Sequence, residues 1–205
     1  MPATDSDLPL VITMWETYGS NMEPVAARVG QLLGIPVYAQ AFSSEDIEAL
    51  AEEDTDGRAA KLTQRLSTGA TPAEMSSHEV AAAGKAHARE CTSFVTEKAQ
   101  GGGVIQGRNG AYILRNRPNT LHVKLDGIPE KRVERAARLA GISLARAARR
   151  QRMEDAIRVE TSLLSFGVDP RDIELYDVVL NTTFQNTEET ARVIAALARI
   201  RQGVA

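Results

Sequence analysis

Cysteine is almost absent from this chain. One residue in 205, Cys91, rules out an internal disulfide and leads us to expect a reducing compartment, the cytoplasm. A lone free thiol usually packs as a small hydrophobe, so Cys91 is expected to be buried and inert. Histidine is scarce as well. His78, His87 and His122 show no metal-ligand spacing, so no protein-held metal is expected. Long apolar runs are missing: no stretch nears the roughly 18 residues of a membrane span. The start, MPATDSDLP, is polar and acidic with no basic leader, so neither a signal peptide nor a membrane partner is expected. A basic excess is missing too. With 24 Lys and Arg against 27 Asp and Glu, the net charge is -3, which argues against a general nucleic-acid binder. The remainder, 43% hydrophobic and 25% charged, is ordinary globular composition for one domain over 1–205.

Five short apolar runs alternate with helical patterns: PLVITM (9–14), IPVY (35–38), GVIQG (103–107), TLHVKL (120–125) and YDVVLN (176–181). Most are continuous rather than alternating, as in strands buried on both faces of a parallel sheet. Interleaved helices imply crossovers covering both faces, and the first strand is expected at the centre. Helix punctuation is clear. Pro24 suits a first helical position and Gly34 an end. Ser76 with Glu79, and Asn186 with Glu189, have capping-box spacing. Pro129 and Ser143 each open a further helix. SSEDIEALAEED (43–54), with Ser43 and Asp46 at capping spacing, reads as another helix running into acid, and the stretch 54–77 is less regular and reads as a mobile insert.

Three stretches should reach the carboxyl edge of such a sheet, where ligands bind. The first is the loop WETYGSNMEP. Gly19 and Ser20 suit a phosphate cradle ahead of a helix N-terminus, although the strict GxxxxGK[ST] spacing is absent. The second is GRNGAYILRNRPN (107–119), whose Arg108 would present a planar fork suited to phosphate or carboxylate; the bland alternative is a surface arginine in a turn. The third is the helix after Ser143 with Arg146, Arg149, Arg150, Arg152 and Arg158. Asp155 and Arg158 share one of its faces, and a solvated basic face is the alternative there.

These stretches together resemble the cytidylate kinase-like family of P-loop nucleoside monophosphate kinases. VITMWETYGSNMEPVAARVGQLLGIPVYA follows the family's opening ITISREYGSGGREIARRLAEELGIPFYD. VIQGRNGAYIL resembles its VIVGRCADYIL. DAIRVETSLLSFGVDPRDIELYDVVLNT resembles its D-x-x-R stretch, the following glycine and YDLVINT. The resemblance implies a three-layer α/β fold with a five-stranded parallel sheet, a monophosphate-binding insert at 43–77 and a lid at 148–169. It implies a donor loop at Tyr18, Gly19, Ser20, Asn21, Met22, Glu23 and Val25. It also implies acceptor contacts at Arg89 (less so His87), Arg108 and Asn109, and catalytic roles for Arg108, Arg152, Arg158 and Asp155. ATP with Mg2+ would be the phosphoryl donor, CMP or dCMP the acceptor, and small nucleotides the partners; a homodimer is allowed. Such catalysis is positioning and charge neutralisation.

The chain departs from the family at the loop. Asn21, Met22 and Glu23 stand where the family has Gly, Gly and Arg. An anion near ATP phosphates costs about 1 to 4 kcal/mol at ~4 Å, and Asn and Met are expected to resist positive φ. Two functions follow from the sequence. One is a weak or specialised nucleotide kinase, with another cation such as Arg28, Arg149 or Arg150 replacing the lost one. The other is an impaired kinase fold acting as a nucleotide- or partner-binding regulator. Restoring Gly, Gly and Arg is expected to recover donor affinity.

Overall fold

The computed structural model describes residues 8–41, 43–45, 47–48 and 76–203. Five strands make one parallel sheet: β1 (Val11–Glu16), β2 (Val37–Tyr38), β3 (Gly103–Gln106), β4 (Thr120–Asp126) and β5 (Val178–Asn181), in the order β2-β3-β1-β4-β5. The expected central first strand is therefore found. β1 starts later than the apolar run PLVITM and continues to Glu16, because it pairs with β4 as far as Glu16 opposite Leu125.

Helices α1 (Met22–Leu33) and α6 (Thr187–Arg201) cover one face of the sheet. Here Ile12, Met14, Leu121, Val123 and Leu125 meet Met22, Val25, Val29, Ala191, Ile194 and Ala198 in one core. Helix α2 (Ser77–Gly101) and the short α3 (Gly110–Ile113) cover the other face through Val95, Ala99, Ile105 and Leu114. Continuous apolar strands buried on both faces explain this three-layer arrangement. Helices α4 (Pro129–Ala140) and α5 (Leu144–Phe166) follow β4, and α5 packs on both α2 and α4.

The expected caps form. Ser76 with Glu79 and Asn186 with Glu189 make reciprocal capping boxes, Ser143 accepts from the Arg146 N–H, and Pro129 opens α4. Pro24 is displaced: α1 begins at Met22, so Pro24 is its third residue, where a helix still needs no N–H donor. Of the insert 43–77, residues 44–45 and 47–48 are helical, the stretch 49–75 lies outside the described residues, and Ser76 and Ser77 open α2. Most of 148–169 belongs to α5, a single continuous helix ending at Gly167. No described helix is long and apolar enough to cross a membrane.

Candidate functional site

Strand order reverses at β1, so the carboxyl ends of β1, β3 and β4 bound the crevice where this topology binds ligands. The loop from β1 to α1 lies there, and its backbone is fixed from several sides. The Tyr18 N–H donates to Asp155 Oδ1 at 2.7 Å, and the Tyr18 carbonyl accepts from Arg132 Nη1 at 2.7 Å. Arg135 reaches the Gly19 carbonyl at 3.3 Å and also bonds Thr182 beyond β5. Thr17 Oγ1 donates to Asp126 Oδ1 at 2.8 Å and sits 2.9 Å from the fully buried Ser20 hydroxyl. Gly19 has φ 79°, and a Cβ there would fall 2.5 Å from the Arg132 carbonyl oxygen, so the position demands glycine twice over.

Asn21 corrects an expectation. It adopts φ 72° and ψ 34°, the left-handed conformation reserved for glycine in the sequence reading. Asparagine is among the non-glycine residues that visit this region, and its Nδ2 donates to Thr187 Oγ1 at 3.0 Å, which holds it there. Met22 needs no positive φ, because it is already helical, and its side chain is 2% exposed in the core. Glu23 is exposed.

The carboxylate that matters most is Glu16, at the end of β1. Its Oε2 accepts the Met22 N–H at 2.9 Å, placing a negative group on the first turn of α1. Helix N-termini favour anions, and here the chain supplies its own. Arg158 lies 4.0 Å from Glu16, 3.0 Å from the fully buried Glu154 and 3.9 Å from Asp155. Burial pushes the carboxyls of Glu16 and Glu154 above their usual range, against the pull of Arg158.

Two cavities meet at this carboxylate. On the side where the resemblance expects the donor, a cavity of about 290 Å³ runs along Tyr18, Gly19, Asn21 and Glu23 towards Arg150. On the side where it expects the acceptor, a cavity of about 120 Å³ lies between the ends of β1 and β3 and helices α2 and α5. Its walls include Trp15, His87, Cys91, Arg108, Asn109 and Arg158. Glu16, Met22 and Gln40 line both cavities.

On the acceptor wall Arg108 has φ 55°, and its guanidinium lies 3.9 Å from the centre of the Phe94 ring. Its Nε is buried without a hydrogen-bond partner among the described residues, and so is Arg158 Nη1. Buried donors in that state carry a desolvation cost of about 1–3 kcal/mol that an incoming anion would relieve. Asn109, also at φ 55°, accepts from Ser162 Oγ at 2.6 Å, which ties the end of β3 to α5. Cys91 is buried, its thiol pushed up to about 11, and its Sγ lies 3.4 Å from His87 Nε2.

The structure thus brings Arg108, Asn109 and Arg158 and the loop residues Tyr18, Gly19, Asn21, Met22 and Glu23 to two adjoining cavities, buries Ser20 beneath the loop and Val25 in the core, and leaves Arg152 and Arg89 elsewhere. Arg152 is exposed on a different face of α5 from Glu154 and Arg158, because six residues along a helix turn it well away from Arg158. Arg89 is exposed on α2, whereas His87, two residues earlier, lines the acceptor cavity. Asp155 holds the loop through the Tyr18 amide. Among the replacement cations, Arg28 is committed to Glu188 at 2.5 Å and Arg149 is exposed. Arg150 reaches the donor cavity, but Glu48 at 2.5 Å and Glu45 at 2.9 Å hold it.

Glu16, Arg132, Arg135 and Glu154 escaped the sequence reading. The partners of Arg132 and Arg135 on the loop lie more than a hundred positions away, so local spacing carries no signal for them. Glu16 could have been noticed as a charged residue ending an apolar strand run beside a phosphate-type loop.

The profile of the cytidylate kinase-like family matches residues 11–184. The chain belongs to this family. A cytidylate kinase of Methanopyrus kandleri is 32% identical over 109 residues, which is 49% of this chain and 56% of that protein. A protein of Corynebacterium glutamicum named uronate isomerase is 35% identical over 130 residues, 63% of this chain and 25% of that one. The chain therefore spans a quarter to just over half of the length of these curated relatives. A crystal structure of an uncharacterised protein from Eubacterium ventriosum superposes with a TM-score of 0.63 at 18% identity, over 92% of this chain and 98% of the other. The fold is that of a P-loop kinase-like α/β protein, and the family supports a nucleotide kinase-like function.

Proposed function

We propose that the protein transfers the terminal phosphoryl group of ATP to a nucleoside monophosphate, CMP or dCMP, at a rate limited by its donor loop. The observation that carries this reading is the acceptor wall: Arg108 and Arg158 line one cavity, and each has a buried N–H with no hydrogen-bond partner among the described residues. Guanidinium groups in that state suit the phosphate of an incoming monophosphate.

The donor loop fits a phosphate chain in part. Gly19 and Asn21 take the positive φ of a cradle, and the N-terminus of α1 follows directly, although Pro24 in its first turn offers no N–H. The fit fails at Met22, whose amide is already held by Glu16. No group of three acidic, histidine or cysteine side chains among the described residues could hold a metal, so Mg2+ would enter with ATP and offset the charge of its phosphates. Asp155, Arg132 and Arg135 hold the loop in register, and Arg108 and Arg158 would set the acceptor phosphate across from it.

Separate calorimetric titrations of CMP and of magnesium-ATP, followed by a coupled assay for ADP, test the proposal. Binding of both ligands with CMP-dependent ADP release is the expected result. Failure of CMP to bind would end the acceptor assignment. CMP binding without ADP release would instead favour a nucleotide-binding regulator, a reading to which the Glu16–Met22 contact already gives some support.

A further inference from the structure

We infer that Glu16 is a built-in competitor for the donor's phosphates, so that ATP can seat on α1 only when this carboxylate leaves the Met22 amide. The inference rests on the donor role proposed above. The geometry supplies the reason. Glu16 caps the first turn of α1 from the preceding strand, with an N–H to oxygen distance of 2.9 Å, and it forms part of the wall shared by the donor and acceptor cavities. A phosphate entering the cradle would need the same N–H and would meet the same negative charge.

The surroundings keep this carboxylate poised rather than locked. From α5 it faces Arg158 at 4.0 Å, with Glu154 and Asp155 beside that arginine. Arg135 of α4 also acts on it electrostatically, and Arg108 at the end of β3 lines the same acceptor cavity. Arg158 is therefore divided among three carboxylates and cannot hold Glu16 alone. Once displaced from Met22, Glu16 still has Arg158 within reach, so the cation that faces the acceptor cavity would also receive the released carboxylate. Donor binding would then weaken the hold of Arg158 on the acceptor's phosphate, which couples the two sites negatively.

Protonation should assist the release. A neutral carboxyl is a poorer acceptor for the Met22 N–H and does not repel phosphate, and burial already raises Glu16 towards that form. The affinity of the parent for magnesium-ATP should therefore rise, relative to a variant lacking this carboxylate, as pH falls.

The experiment compares the parent with Glu16→Gln and Glu16→Ala by calorimetric titration of magnesium-ATP at about pH 8 and at a lower pH chosen from the parent's own acid titration, with circular dichroism confirming the fold. Gln keeps an oxygen for the Met22 N–H without the charge, and Ala removes both, so a misfolded Ala variant leaves Gln to decide. Both variants should bind magnesium-ATP roughly tenfold more tightly than the parent at the higher pH, and the ratio should shrink at the lower pH. Folded variants that bind no more tightly than a parent that does bind ATP would overturn the inference and leave the kinase reading intact. If parent and variants all bind CMP but none binds magnesium-ATP, the donor reading falls and the inference falls with it.

Discussion

The two walls of the crevice handle positive charge in opposite ways. Around the donor loop the arginines are committed: Arg132 to the Tyr18 carbonyl and Asp155, Arg135 to Gly19 and Thr182, Arg150 to Glu48 and Glu45. On the opposite wall, among the described residues, Arg108 rests on an aromatic ring with no hydrogen bond at its Nε, and Arg158 Nη1 makes none either, with only the Asp155 carboxylate 3.9 Å away. The difference separates two uses of the same side chain. A guanidinium bound to carbonyls and carboxylates shapes a backbone, whereas one left with unmet donors waits for an anion. Substitutions on the donor side should therefore act mainly on stability and loop shape, and substitutions at Arg108 mainly on ligand affinity.

The largest expected effect tests that division by restoring the family's residues. The triple variant Asn21→Gly, Met22→Gly, Glu23→Arg was expected from sequence to rescue donor binding. The structure sets a stability cost against that expectation, because Met22 is 2% exposed in the main core, and Asn21 already holds the conformation that glycine would provide. Removing the Met22 side chain from a helix should cost about 3–5 kcal/mol, read as a lower urea midpoint. A triple variant as stable as the parent would show that Met22 is not part of that core.

Gly19→Ala comes next. The backbone conformation alone costs about 1–3 kcal/mol, and the approach of the Arg132 carbonyl adds to it. Thermal unfolding should show the loss, and an unchanged midpoint would mean that the loop shifts freely away from α4.

Arg108→Ala should reverse the pattern. CMP affinity should fall by about 1.5–3 kcal/mol, the range for a charged hydrogen bond, while stability should change by only about 1 kcal/mol for the lost contact with Phe94. Equal losses in both measurements would erase the distinction between the two walls.

Acid titration sharpens the comparison further. The carboxyl of Glu48, gripped by Arg146 and Arg150, is held near 2 against an ordinary 4.5. Its contribution is thus present above about pH 4.5 and lost as pH falls towards 2. Glu16 and Glu154 are raised above 4.5, so their contribution is present below that value and lost as pH rises through their folded-state pKa. The stability gap between the parent and Glu48→Gln should close on acidification, while Glu16→Gln should gain on the parent as pH rises. Parallel curves for the two variants would contradict these opposite shifts.

The smallest effect is expected at Glu23, the residue on which the sequence reading placed most weight. It is exposed, so Glu23→Arg alone should improve magnesium-ATP binding by no more than about 1 kcal/mol, and less at high salt. A gain larger than that of Glu16→Ala would return the loop's defect to Glu23.

The sequence by itself determined the five strands, the central place of the first, the caps at Ser76, Ser143 and Asn186, and the convergence of the loop, Arg108 and the Arg158 helix on one edge of the sheet. These depend on short-range periodicity, on capping residues three positions apart and on chain topology, all of which can be read along the chain. Tertiary structure decided which charges were left over. Arg132 meets Tyr18 from 114 positions away, and Arg158 turns towards Glu16 while Arg152 turns outward. His87 reaches the acceptor cavity while Arg89 faces outward, and Asn21 takes a glycine's conformation because Thr187 of α6 holds its amide. Electrostatic pairing is fixed by distance and burial in three dimensions, so neither the cations available to a ligand nor the carboxylate on the Met22 amide could be read from the residue types alone.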